Sequence, residues 1–193
     1  MPSIKELNKL RIFNRLKSVY RLNSVDKRKE SSAEHSWSCL ILADFFLSKT
    51  KRKINRLKVY ELLMYHDVVE IEAGDSPLHP GIKHLDKKEK EKKAVEILRK
   101  DLPFPLNSKF ARLFKEFEEQ KTIESRFAKA IDAMDSEIHE MDHKEDWDGW
   151  TAEFLKEKKA KYFEEFPELK KTFSTLMKYL IKNGYFATRN KVF

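Results

Sequence analysis

Ser31-Ser32-Ala33-Glu34-His35-Ser36-Trp37, running on into an apolar stretch that ends at Leu47, decides how this chain folds. Ser31 and Glu34 have the spacing of a capping box, in which hydroxyl and carboxylate each satisfy the other's orphan backbone amide. The run from Trp37 to Leu47 then predicts a strongly buried helix with His35 in its first turn.

Helical periodicity extends on both sides of this segment. Ile4, Leu7, Ile12, Leu16 and Val19 recur at helical spacing and predict a helix over residues 4–21, ending on Arg21. A polar link from Asn23 to Glu30 follows. A third helix is expected from Asn55 to Ala73, with Val59, Leu62, Leu63 and His66 on one face and Glu70 after them. Gly74 stands where a left-handed stop is wanted. The loop from Asp75 to Gly81 holds two prolines and cannot stay helical. Helix resumes over 85–100, breaks at Pro103 and Pro105, and resumes over 107–120. The stripe Ile123, Phe127, Ile131, Met134 and Ile138 marks a helix over 122–141, and two more are expected over 151–164 and 167–183. No internal repeat and no useful strand alternation is visible, so the fold class is all-α.

The bulk numbers agree. A chain of 193 residues fits one domain, and 40% hydrophobic residues, including 14 Phe, suffice for a core. Four glycines suit long helices with brief connections. The lone Cys39 excludes an internal disulfide and agrees with a reducing compartment. Neither a signal peptide nor a membrane-length apolar stretch is visible, so a cytoplasmic protein is expected. The net charge of +8 is a weak argument for nucleic acid, because lysines alternate with acids from Asp86 to Lys93, as on a solvated face. It suits attraction of a small phosphorylated anion. Phe110, Phe114 and Phe117 are compatible with a homodimer or with an ordinary core.

His66 and Asp67 are where chemistry enters. An inward-facing carboxylate needs a positive partner, yet Val59, Leu63 and Val69 are apolar and Glu70 is acidic. A divalent ion would satisfy both residues. His35 on its own buried helix and Asp132 on the 122–141 helix complete a mixed nitrogen and oxygen set suited to a first-row dication. Each has an ordinary reading as well: His35 as a packed first-turn residue beside Trp37, and Asp132 as a solvated flank residue paired with Lys129. Four ligands in an octahedral shell leave two positions, one for water and one for a phosphate oxygen. Such an ion lowers the water's pKa and polarises the phosphorus–oxygen bond. Glu70 is the first candidate to take the water's proton, or else it orients His66. Arg21 has the planar fork that grips phosphate oxygens.

His35, His66-Asp67 and Asp132, in that order, resemble the H…HD…D pattern of the HD-domain metal-dependent phosphohydrolases. Ala33-Glu34-His35-Ser36-Trp37, Tyr65-His66-Asp67-Val68-Val69-Glu70 and Gly74-Asp75-Ser76-Pro77 look like the branch that contains 5′-deoxynucleotidases. The resemblance covers about residues 10–145. It implies an HD-type helical fold with the metal-site core over about 10–145; with the helices expected over 151–183, the chain is expected to form a single domain over 1–186 with a tail over 187–193. It further implies removal of phosphate from (deoxy)nucleoside 5′-monophosphates, with His35, His66, Asp67 and Asp132 as metal ligands. The ion could be Mn, Co, Fe, Ni, Zn, Cu or Mg. Arg21 aligns with a phosphate-orienting arginine, Glu70 with an acid proposed to activate water, and Asp75 with a residue near the sugar. Asp67, Asp75, Ser76 and Asp132 would then border the substrate, and Asp75 or solvent would protonate the leaving group. Some relatives instead use the equivalents of Glu70, Asp75 and Ser76 for a second ion.

The chain departs from that pattern in places. Bacterial deoxynucleotidases carry a tryptophan after the phosphate-binding arginine, where Leu22 stands here. His79 and His84 are additional loop histidines, expected to face solvent, as are His139 and His143. Two alternatives share the sequence: hydrolysis of nucleoside polyphosphates or alarmones at the same site, and a non-catalytic basic helical binding module.

Overall fold

The computed structural model describes residues 1–83 and 85–186; His84 and the expected tail over 187–193 lie outside them. Helix α1 (Ile4–Leu10) passes into a 3₁₀ stretch (Arg11–Ser18). A hairpin of β1 (Tyr20–Val25) and β2 (Arg28–Ser31) follows, paired antiparallel with Val25 opposite Arg28. Then come α2 (Ser32–Leu47), α3 (Arg56–Tyr65), α4 (Glu70–Ala73), α5 (Lys87–Asp101), α6 (Leu106–Glu119) and α7 (Ile123–His139). Two short 3₁₀ turns lead to α8 (Ala152–Phe163) and α9 (Pro167–Lys182). The all-α expectation holds, with this hairpin the one sheet among the described residues.

The core sits where α3 packs against α2, α6 and α7. Leu62 and Leu63 meet Phe110, Leu113, Phe127, Ile131 and Met134 there, all fully buried. Each such side chain contributes roughly 1.5–3 kcal/mol of apolar transfer. A second apolar layer closes around Trp147, Phe163, Phe166 and Leu180, joining α8 and α9 to α7. Phe110 and Phe117 are buried within this layer system, so the face that could have served a dimer is core.

Four expectations need correction. Arg21 does not end a helix: the chain leaves the helical region at Val19, which is extended, and Arg21 lies in β1. The polar link from Asn23 to Glu30 is therefore the hairpin, turned at Asp26 with φ +50°, a conformation aspartate tolerates. The helix expected over 55–73 is two helices separated at residues 66–69. Helix α2 is not strongly buried throughout: Trp37, Ile41 and Phe45, spaced one turn apart, are 65%, 57% and 53% exposed. His35 accordingly is not packed by Trp37. Gly74 does end α4 with φ +77°, where an L side chain would be strained.

Candidate active site

The capping box at the start of α2 forms as expected: Ser31 Oγ accepts from the Glu34 amide, and Glu34 Oε2 accepts from the Ser31 amide at 2.9 Å. That anchors His35 one residue later, where it is wholly buried. His35 Nδ1–H donates to Asp135 Oδ2 over 2.9 Å, which in the neutral ring leaves Nε2 as the lone-pair nitrogen. Nε2 faces Asp132 Oδ1 at 3.1 Å. Ser38 Oγ donates to the other oxygen of Asp135.

His66 stands at the C-terminal end of α3. Its Nδ1–H donates to the Leu63 carbonyl at 2.7 Å, so the ring's Nε2 is again the free acceptor. That nitrogen is buried and has no hydrogen-bond partner. It lies 3.2 Å from Asp67 Oδ1 and 3.8 Å from Asp132 Oδ1. The partner that fixes the His66 ring is thus a backbone carbonyl, and Glu70 does not serve that purpose.

Four donor atoms, from His35, Cys39, His66 and Asp132, lie within 4.8 Å of one another. Asp67 joins them from the His66 side, and its Oδ2 is also buried without a hydrogen bond. The Cys39 thiol is the weak member: burial pushes its pKa far up, out of reach of the thiolate. The other four form the expected pair of imidazoles and pair of carboxylates. Two buried lone-pair nitrogens aimed at carboxylate oxygens, one of them orphaned, fit a divalent cation that would meet every donor at once. The His35 pKa is raised well above the ordinary imidazole value, burial and Arg21 opposing this and the adjoining acids outweighing them, so Nε2 holds a proton towards Asp132 that a bound cation would displace. Burial alone would raise Asp132, but the Lys129 charge and the His35 contact hold it well below the carboxylate range.

Arg21 reaches the site from β1. Its Nη2 donates to Ser136 Oγ at 3.1 Å, its Nε is 3.1 Å from Glu30 Oε2, and its Nη1 is 3.9 Å from Asp67 Oδ2. The missing cation beside Asp67 therefore comes from a strand distant in sequence. Glu70 accepts a hydrogen bond from the Ser32 hydroxyl at 2.6 Å. Burial, reinforced by Asp67 and Asp75, pushes the Glu70 carboxyl well up, and burial raises Asp75 too. Ser76 and Asp75 line the same cleft, which has a volume of about 500 Å³ and also takes in Arg21, Leu22 and Phe114.

The other histidines do not add to the cluster. His79 is half-buried: Gly81 N–H donates to its Nδ1, its Nε2 donates to the Asp148 carbonyl, and its ring packs edge-on against Trp150. Both ring nitrogens are therefore committed. His139 is half-buried as well, its Nε2 donating to the Ser24 carbonyl at 2.8 Å, with the His143 ring beside it. Neither faces solvent freely, contrary to expectation. Sequence reasoning missed Asp135, Ser32, Glu30 and Ser136. Asp135 carried a usable signal, since it stands one helical turn after Asp132 and shares its side of α7.

Residues 13–170 match the family described as HD domain. The 5′-deoxynucleotidase HDDC2 of Xenopus laevis is 28% identical over 139 residues, 70% of this chain and 68% of that protein. Its counterpart from Homo sapiens is 28% identical over 143 residues, 70% of this chain and 69% of that protein. Among solved structures, a predicted metal-dependent phosphohydrolase from Magnetospirillum magnetotacticum MS-1 superposes with a TM-score of 0.85 at 27% identity, covering 95% of both chains.

Proposed function

The chain belongs to the HD domain family, and from that premise we propose that it is a metal-dependent phosphomonoesterase that releases phosphate from (deoxy)nucleoside 5′-monophosphates. The observation that carries this reading is the orphaned, buried Nε2 of His66, set 3.8 Å from the Asp132 oxygen that also faces His35. Buried polar atoms are usually paired, and this one shares its surroundings with the orphaned Oδ2 of Asp67.

His35, His66, Asp67 and Asp132 would hold the ion. When bound, it supplies Lewis acidity toward a phosphate oxygen and acidifies a water. Arg21, pinned by Ser136 and Glu30, presents its guanidinium at the mouth of the site and orients the phosphate. Glu70 takes the proton of the attacking water. Its carboxylate is held by Ser32 through one oxygen, and burial raises its affinity for a proton, which suits the ionised form to accept one from water. Asp75, also raised by burial, delivers a proton to the departing sugar oxygen. The relatives named as 5′-deoxynucleotidases support the nucleotide assignment. Leu22 stands in the cleft where a tryptophan was expected, so the sugar side of the pocket is shaped by a smaller side chain.

A panel of nucleoside mono-, di- and triphosphates, assayed for phosphate release with several divalent ions, tests the reading. Inorganic phosphate and free nucleoside from the monophosphates are expected. Turnover confined to polyphosphates would replace the substrate, and metal-independent nucleic-acid binding with no turnover would remove the enzyme.

A further inference from the structure

Lys129 stands one helical turn before Asp132 on α7. Its Nζ donates to Asp132 Oδ2 over 2.9 Å and sits 4.8 Å from the centroid of the Phe117 ring. Phe117 in turn lies 5.2 Å from the His66 ring, so lysine, aromatic platform and ligand side chains form one packed group. The two oxygens of Asp132 have separate partners. Oδ1 faces the imidazoles at 3.1 and 3.8 Å, and Oδ2 belongs to Lys129.

A carboxylate can meet a cation through one oxygen or through both. We propose that Lys129 is a positioning residue of the metal centre: by holding Oδ2, it commits Asp132 to present Oδ1 alone toward the ion. The inference rests on the ligand assignment above. Its physical interest lies in a conflict of signs. A fixed ammonium beside a cation site repels the cation, so a lysine that merely happened to be near would weaken binding. A lysine that orients a ligand strengthens binding, as outer partners of ligands do when their loss costs 10–100-fold in affinity. The Phe117 platform and the half-buried position argue for the second, because both restrict where the ammonium can sit. Lys129 lines the cleft beside Tyr162 and Glu118.

The experiment is titration calorimetry with manganous ion alone, at fixed pH and ionic strength, on the wild type and on Lys129→Met, Lys129→Arg and Asp132→Asn. Asp132→Asn should lose binding. Lys129→Met should weaken it by about 10–100-fold, although a repelling charge has been removed, and Lys129→Arg should restore it to within about threefold. Equal or tighter binding by Lys129→Met, with Asp132→Asn still defective, overturns the positioning role while leaving the site intact. Wild-type binding unchanged in Asp132→Asn overturns the site and the inference together. If Lys129→Met does not fold, Lys129→Gln, which also removes the charge, carries the same comparison.

Discussion

His35 Nδ1 and Asp135 Oδ2 are 2.9 Å apart, although the two residues are separated by 100 positions in the chain. This contact joins the first turn of α2 to the middle of α7 and fixes which imidazole nitrogen faces Asp132. Asp135 is itself held by Ser38 from the same helix as His35, so the carboxylate has little freedom to release the ring.

Replacing Asp135 therefore should act on the metal rather than on substrate contacts. Asp135→Asn keeps a hydrogen-bonding group of the same size and permits either tautomer of His35. Divalent-ion affinity is expected to fall about 10–100-fold, measured by calorimetry against the wild type. An affinity unchanged in Asp135→Asn would show that the His35 ring is held by packing alone.

The ligand and phosphate roles separate in a second set of variants. His66→Ala and Asp67→Ala should lose metal and turnover together, whereas Arg21→Ala should retain metal and lose on the order of 100-fold in kcat/KM, about 2.7 kcal/mol. Arg21→Ala also leaves Glu30 buried without its cation, so its melting temperature should drop too. Elemental analysis decides the ligand question: full occupancy in Asp67→Ala contradicts the assignment.

Helices α5 to α9 were legible because their apolar stripes keep a helical period, with Thr122 and Thr151 capping α7 and α8. The break between α3 and α4 was not, since Tyr65 to Val69 contains neither glycine nor proline. At the break, the Leu63 carbonyl, which a continued helix would offer to the Asp67 amide, accepts the His66 ring N–H. The chain tightens there into bonds such as Val68 N–H to the Tyr65 carbonyl. The hairpin was hidden for a related reason. In β1 the inward positions are Arg21 and Asn23, chosen for Glu30, Ser136 and Glu140 rather than for apolar packing, so no hydrophobic alternation marks the strand. The proposed ligand set, by contrast, was legible through the H…HD…D resemblance, whereas the argument that Asp67 lacked a cation missed Arg21, which reaches it from β1.

A buried ion pair beside the cleft provides a stability test. Lys159 donates to Glu137 and to the Ala133 carbonyl, and both charged side chains are almost wholly enclosed. Lys159→Met would strand the Glu137 carboxylate, and breaking one side of such a pair costs about 3–5 kcal/mol. Urea unfolding should show that loss, while the double variant Lys159→Met/Glu137→Leu should recover most of it. A single variant as stable as the wild type would mean that Glu137 is already protonated.

Burial, with Glu137 adding to it, pushes the Glu140 carboxyl from its ordinary 4.5 to about 8, where Asn23 donates to it from β1. Between those two values the folded protein holds a proton that the unfolded chain has released. Stability contributed by this group is therefore complete below about pH 4.5 and declines as pH rises towards 8. The slope is at most about 1.4 kcal/mol per pH unit. Glu140→Gln retains an amide oxygen that can accept from Asn23 and removes the titration. Thermal melts from pH 5 to pH 8, roughly the window over which the two states differ, should show the wild type losing stability relative to Glu140→Gln as pH increases. Parallel curves for the two proteins would mean that the carboxyl is hydrated and ionised throughout, and that Asn23 holds β1 against α7 through a charged partner.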